Sequence, residues 1–223
     1  MIPDWPRSAS DTQRLWLWSA VACVVLVVFS YFVLDQPIAT FVHEYFHNKK
    51  LFDIPTHIVD PFLPAAAFML AIVGIANVVG WKLGGPDAEN AVLRASLSLV
   101  AAIVIKDQLK IVFGRTWPET WTHHNPSFFD GGAYGFHAFH GGVGYAAFPS
   151  GHMTEVCTVM AVLWAAYPAF RWLYVTLAAL VALGLIGADY HWLSDVIAGA
   201  FLGTAVGAIG ARIGQATSGR SAR

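Results

Sequence analysis

Apolar residues gather along the chain in six runs, at residues 16–35, 60–82, 91–113, 150–168, 171–190 and 193–213. Each has about the 20 residues that a helix needs to cross a hydrocarbon core of about 30 Å. Lipid offers backbone N–H and C=O groups no partners, so each run is expected to be helical. The pattern predicts an all-α integral membrane protein, a bundle of six transmembrane helices forming a single membrane-embedded domain over residues 1–223. In the last run Gly199, Gly203 and Gly207 recur every fourth residue, a stripe that suits close helix packing. Between the third and fourth runs, residues 114–149 are too long for a simple turn and are rich in Gly, His and aromatic residues. That segment is expected to be an extracytoplasmic loop contributing to a site at the membrane interface.

Charge placement orients the bundle. Six crossings put both termini on one side, and basic residues favour the cytoplasmic side. With the N-terminus inside, Arg7, Arg14, Lys82, Arg94, Arg171, Arg212, Arg220 and Arg223 lie inward, against Lys49 and Lys50 in the outer loops. Both termini are therefore expected in the cytoplasm. The first run follows Arg7 and Arg14 but is longer than a signal-peptide core and ends in YFVLDQPIAT, so it should remain as an anchor.

Composition agrees with a lipid solvent: 57% of residues are hydrophobic, 12% are charged and the mean hydropathy is +0.56. A net charge of −1 gives no basic excess for a nucleic-acid partner. Cys23 and Cys157 sit in apolar runs and read as small buried hydrophobes, with no disulfide implied.

Three polar clusters interrupt this pattern. Lys106, Asp107 and Lys110 end the third run. They read either as residues snorkelling to headgroups, with Asp107 and Lys110 paired, or as a functional group facing a polar cavity. Pro149-Ser150-Gly151-His152 opens the fourth helix, where a Ser cap, a Gly and the positive end of the helix dipole can cradle an anion. His191-Trp192-Leu193-Ser194-Asp195 lies at the fifth-to-sixth junction, and its four-residue spacing lets Asp195 orient the His191 imidazole as a nucleophile. The topology brings all three clusters to the outer face. Cations, backbone donors, two histidines and a carboxylate suit the binding of a phosphoryl group and displacement of its leaving group. His123, His124, His137 and His140 in the loop raise a rival metal reading, but only the isolated Asp130 stands nearby to complete a ligand set.

The motifs KIVFGRTWP, PSGH and GLIGADYHWLSD, in this order, resemble KxxxxxxRP, PSGH and SRxxxxxHxxxD of the type-2 phosphatidic acid phosphatases. The resemblance implies metal-independent hydrolysis of a lipid phosphate or pyrophosphate through a phosphohistidine, without cofactor. It implies His191 as nucleophile, His152 as general acid, Asp195 as the group orienting His191, and Lys110, Ser150 and Gly151 as phosphate ligands. Two departures stand out: the first-motif arginine aligns with Trp117, and the third-motif Ser-Arg pair aligns with Gly184 and Leu185. Arg115 is the expected stand-in at the phosphate, if irregular backbone around Gly114 and Pro118 lets it reach; Lys106 is a second, less favoured donor. The expected substrate is a phosphorylated lipid at the outer face of a plasma membrane, the bacterial inner membrane among them. Transfer of the phosphoryl group to a second lipid, or binding or transport of a phospholipid or anion without cleavage, are the alternatives.

Overall fold

The computed structural model describes residues 9–46, 48–81, 86–121 and 124–218. Among them, regular structure is helical apart from three isolated bridges, at Arg115–Phe136, Arg115–Ala146 and Trp117–Ser127. The helices are α1 (Ala9–Phe29), α2 (Asp35–Tyr45), α3 (Lys49–Asp53), α4 (Phe62–Val79), α5 (Pro86–Phe113), α6 (Gly151–Ala166), α7 (Arg171–Gly187) and α8 (Leu193–Ser218). A π-helical turn, Ser30–Leu34, joins α1 to α2, and a 3₁₀ turn, Ile54–Val59, follows α3. The stretches Ser10–Tyr45, Lys49–Val79, Pro168–Gly187 and Leu193–Ile213 are long and apolar enough to cross a membrane. α5 differs by the charges in its last turns, and α6 by its length of 16 residues. The chain is thus an all-α membrane protein whose helical segments follow the order of the expected runs. The first two segments are longer than their apolar cores because α2 and α3 continue them through polar sequence. Of the cations used to orient the chain, Arg7, Lys82, Arg220 and Arg223 lie outside the described residues, as does His123.

Lipid exposure explains the apolar surface. Leu17, Trp18, Val24 and Val25 of α1 and Phe32 of the π turn are all more than half exposed, which only an acyl-chain solvent tolerates at that density. The interior lies elsewhere, among Met153, Val156 and Met160 of α6, Tyr174, Val181 and Leu185 of α7, Val196 of α8 and Val59 of the 3₁₀ turn.

The glycine stripe of α8 has a direct structural reason. A Cβ at Gly199 would lie 2.6 Å from the Ser150 carbonyl oxygen, one at Gly203 2.2 Å from that of Thr154, and one at Gly207 2.3 Å from that of Thr158. Only hydrogen at these positions lets α8 lie against the backbone of α6. On the facing side, the Thr154 and Thr158 hydroxyls donate back to the Ser150 and Thr154 carbonyls at 2.7 Å, so both are satisfied within their own helix. This seam fixes the starts of α6 and α8 side by side, and the Ser150 N–H donates to the Asp195 carbonyl at 3.1 Å.

Candidate active site

α5 stops at Phe113 because Gly114 adopts φ +56°, and a Cβ there would lie 1.9 Å from the His137 carbonyl oxygen. The chain then turns across the end of the bundle. His137 N–H donates to the Phe113 and Gly114 carbonyls, and Ala147 N–H donates to that of Arg115. Residues 115–121 and 124–149 form a cover of bridges and aromatic contacts over the helix ends.

Beneath this cover the three polar clusters meet. Ser150 is fully buried and caps α6, its hydroxyl accepting from Met153 N–H. Met153 and Thr154 N–H are satisfied by Ser150, while the helix has no partners of its own for the N–H groups of Gly151 and His152. Lys110 reaches in from α5, donating to the Ala146 carbonyl at 2.7 Å and lying 5.7 Å from the Trp117 ring centre. Lys106, one turn deeper, pairs with Asp107 at 2.8 Å and lies 3.7 Å from Glu155. Its Nζ is also 3.7 Å from where a Gly151 Cβ would stand, so it borders the start of α6.

His191 follows α7 in a turn closed by Tyr190 and His191 N–H groups on the Leu185 carbonyl. Its Nδ1 lies 3.3 Å from Asp195 Oδ2, and the same oxygen accepts from Trp192 N–H at 3.1 Å. With Nδ1 committed to the carboxylate, Nε2 carries the lone pair. Burial holds the imidazole below the usual histidine range despite the Asp195 hydrogen bond, with Lys110 and Arg115 adding to the depression. The group is therefore neutral at physiological pH. Its ring stands 5.0 Å from that of Trp117, and His152 on α6 is close enough to feel its charge.

Arg115 was expected at the phosphate, yet lies behind the His191–Asp195 pair. It is 0% exposed: Nη1 donates to Asp195 Oδ1 at 2.6 Å and to Ser194 Oγ, and Nη2 to Asp35 Oδ2 at 2.6 Å. Tyr31, Tyr134, Phe136 and Trp192 surround the guanidinium, with ring centres 4.8–5.6 Å away. Burial disfavours its charge, but Asp195 and Asp35 outweigh that and raise its proton affinity further. Asp35 is a site residue that the sequence did not single out. It is buried at the end of the π turn, and its carboxylate also receives the Ser194 N–H at 3.0 Å.

The motif departures have local reasons. Trp117 is buried between Lys110 and His191, with its indole N–H on the Val143 carbonyl at 2.8 Å. Gly184 faces α3, where a Cβ would lie 2.7 Å from the Phe52 carbonyl oxygen, and Leu185 is wholly inside the core. The loop histidines His137 and His140 are exposed and contact Tyr145, at ring distances of 5.1 and 4.0 Å. His124 is likewise exposed, at φ +52°. A different cluster, His43, Glu119 and Asp189, brings its ligand atoms within 4.8 Å. Lys49 Nζ stands among them, 2.8 Å from Glu119 and 2.9 Å from Asp189, and supplies the positive charge those carboxylates require.

Residues 91–218, more than half of the chain, match the model of the PAP2 superfamily. No curated protein matches. Among solved structures, the chain is similar to a transmembrane PAP2-type phosphatidylglycerolphosphate phosphatase from Bacillus subtilis. The identity is 14%, the match covers 89% of this chain and 97% of that one, and the TM-score is 0.53, a likeness of fold.

Proposed function

Because the chain belongs to the PAP2 superfamily and is a PAP2-type phosphatase by family and fold, we propose that it hydrolyses a lipid phosphate or pyrophosphate at the outer membrane face. The reaction would proceed through a phosphohistidine on His191. The observation that carries this reading is a buried neutral imidazole with Nδ1 held by Asp195 and Nε2 uncommitted, beside the capped start of α6 and the Lys110 ammonium. The substrate phosphoryl oxygens sit against Lys110, Lys106 and the N–H groups of Gly151 and His152. His191 Nε2 attacks phosphorus, the bond to the lipid oxygen breaks, and His152 in its protonated form gives that oxygen a proton. Water then attacks the phosphohistidine and passes a proton to neutral His152; the N–P bond breaks, releasing phosphate and restoring both imidazoles. Asp195 stabilises the charge that His191 carries while it is phosphorylated. The exposed rings of Phe139 and Trp121 give the mouth an apolar border suited to an amphiphile at headgroup depth, with buried Trp117, its indole N–H on the Val143 carbonyl, forming the inner edge.

The test is phosphate release by detergent-purified protein in excess chelator from phosphatidic acid, phosphatidylglycerophosphate and a polyprenyl pyrophosphate, alongside His191→Ala. Release that survives chelation, disappears in the variant and is accompanied by an acid-labile phosphoryl-protein supports the reading. Release that needs a metal or persists in His191→Ala, or none from any substrate, overturns it.

A further inference from the structure

Behind the nucleophile lies a chain of charges from three distant parts of the sequence: Asp35 at the start of α2, Arg115 in the cover and Asp195 on α8. All three side chains are 0% exposed. Taking such groups out of water is costly, and a hydrophobic substitute of the same volume often serves stability as well or better. The arrangement is therefore poorly explained as a staple. Its geometry is more specific. Asp195 divides its oxygens, Oδ1 to Arg115 and Oδ2 to His191 Nδ1 and Trp192 N–H. Arg115 divides its amino groups between Asp195 and Asp35, and Ser194 bridges both ends by accepting from Arg115 and donating to Asp35. The aromatic enclosure around the guanidinium removes competing water. The π turn is what turns Asp35 inward while Phe32, three residues earlier, is 78% exposed.

We propose that Asp35 and Arg115 are positioning residues that hold the Asp195 carboxylate in the plane that orients His191, and that their opposed charges set the proton affinity of that imidazole. The proposal rests on the phosphohistidine reading for its effect on turnover. The charged and titratable groups facing His191 are Asp195 on α8, Lys110 on α5, His152 on α6, Arg115 in the cover and, through Arg115, Asp35 on α2; Asp189 lies two residues before it in the same turn. Removing the Arg115 charge leaves Asp195 uncompensated and strengthens proton binding by His191. Removing the Asp35 charge frees Arg115 to draw more on Asp195 and weakens it. Generalised damage to packing would not give opposite signs.

The experiment compares Asp35→Asn, Arg115→Met and the double variant with the parent protein in detergent. The readouts are kcat, KM, the acid limb of kcat/KM, and the titration of His191 followed by ¹⁵N-histidine NMR, which needs no substrate. We expect kcat to fall at least about tenfold with KM little changed, and the double variant to be no worse than the worse single, as coupled residues behave. The acid limb and the NMR midpoint should move up in Arg115→Met and down in Asp35→Asn, each on the order of half a pH unit. A single variant that does not fold leaves the double variant, which removes one charge of each sign and so keeps the net charge of the cluster, to carry the test through lower kcat and an upward midpoint. Shifts of the same sign in both singles, or kcat and midpoint unchanged in the double, overturn the proposal. Absence of phosphatase activity from the parent overturns the reaction assigned above instead, and the NMR midpoints still decide the positioning role.

Discussion

Adding one methyl group along the α8 stripe should separate stability from catalysis. In Gly203→Ala the new Cβ meets the Thr154 carbonyl oxygen at 2.2 Å and Cys157 Cβ at 2.9 Å, where ordinary contact begins near 3.4 Å. A backbone carbonyl cannot rotate aside, so α6 and α8 must part by about 1 Å. Overpacking of this kind costs about 1–3 kcal/mol, and replacing a helical glycine by alanine returns about 1 kcal/mol. The net expectation is destabilisation by up to about 2 kcal/mol, or up to roughly 8 °C in Tm for a chain of this size. Gly74→Ala is the control, since a Cβ there has nothing within 4 Å and should leave the protein equal or slightly more stable. Position along the stripe then matters. Gly199→Ala pushes on the Ser150 carbonyl at 2.6 Å, beside the Ser150–Asp195 backbone bond, and should lower kcat by up to about a hundredfold, the cost of a displacement near 1 Å. Gly207→Ala, two turns deeper, should lower Tm with kcat nearly unchanged. Thermal unfolding followed by circular dichroism, with turnover measured well below each midpoint, checks both. Equal Tm for Gly203→Ala and Gly74→Ala, or a kcat loss at Gly207 as large as at Gly199, would refute the reasoning.

Two further outcomes follow from the site. Because burial holds His191 below its ordinary value, its neutral form persists into mild acid, so the acid limb of kcat/KM should fall below about pH 6.5, the unperturbed histidine value. An acid limb above that value in a pH series at constant ionic strength would contradict it. Lys110→Met should reduce kcat/KM by about 10- to 150-fold, the worth of one charge-assisted hydrogen bond of about 1.5–3 kcal/mol. Lys106→Met, whose ammonium is shared with Asp107 and Glu155, should lose less, and steady-state kinetics on both variants would expose a reversed order.

What was readable in the sequence was local. His191 and Asp195 are one helical turn apart, Ser150 precedes an apolar run, and the glycines of α8 share a face at fixed spacing, so short-range geometry implied each relation. The end of α5 was legible too, since Gly114 is the residue that tolerates the observed turn. The direction of Arg115 was not. Its partners lie 80 residues away on either side, and a guanidinium beside a lost motif arginine reads equally well as a phosphate ligand. Asp35 carried one usable signal, an ionised residue at the end of an apolar run. Without a means of placing the first segment against α8, 159 residues later, it looked like the polar edge of a span. The reach of the first two segments was underestimated for a related reason: α2 and α3 owe their form to packing on the bundle end rather than to apolar content.

The π turn that carries Asp35 sits on a segment whose sides are mostly wetted by acyl chains. The height of that carboxylate relative to Arg115 therefore depends on how the first segment matches the hydrocarbon thickness around it, a match that costs fractions of a kcal/mol per ångström when it is missed. A thicker or thinner bilayer would tilt or slide this helix and strain the clamp behind His191, making the lipid matrix a tuning element of the proposed reaction centre.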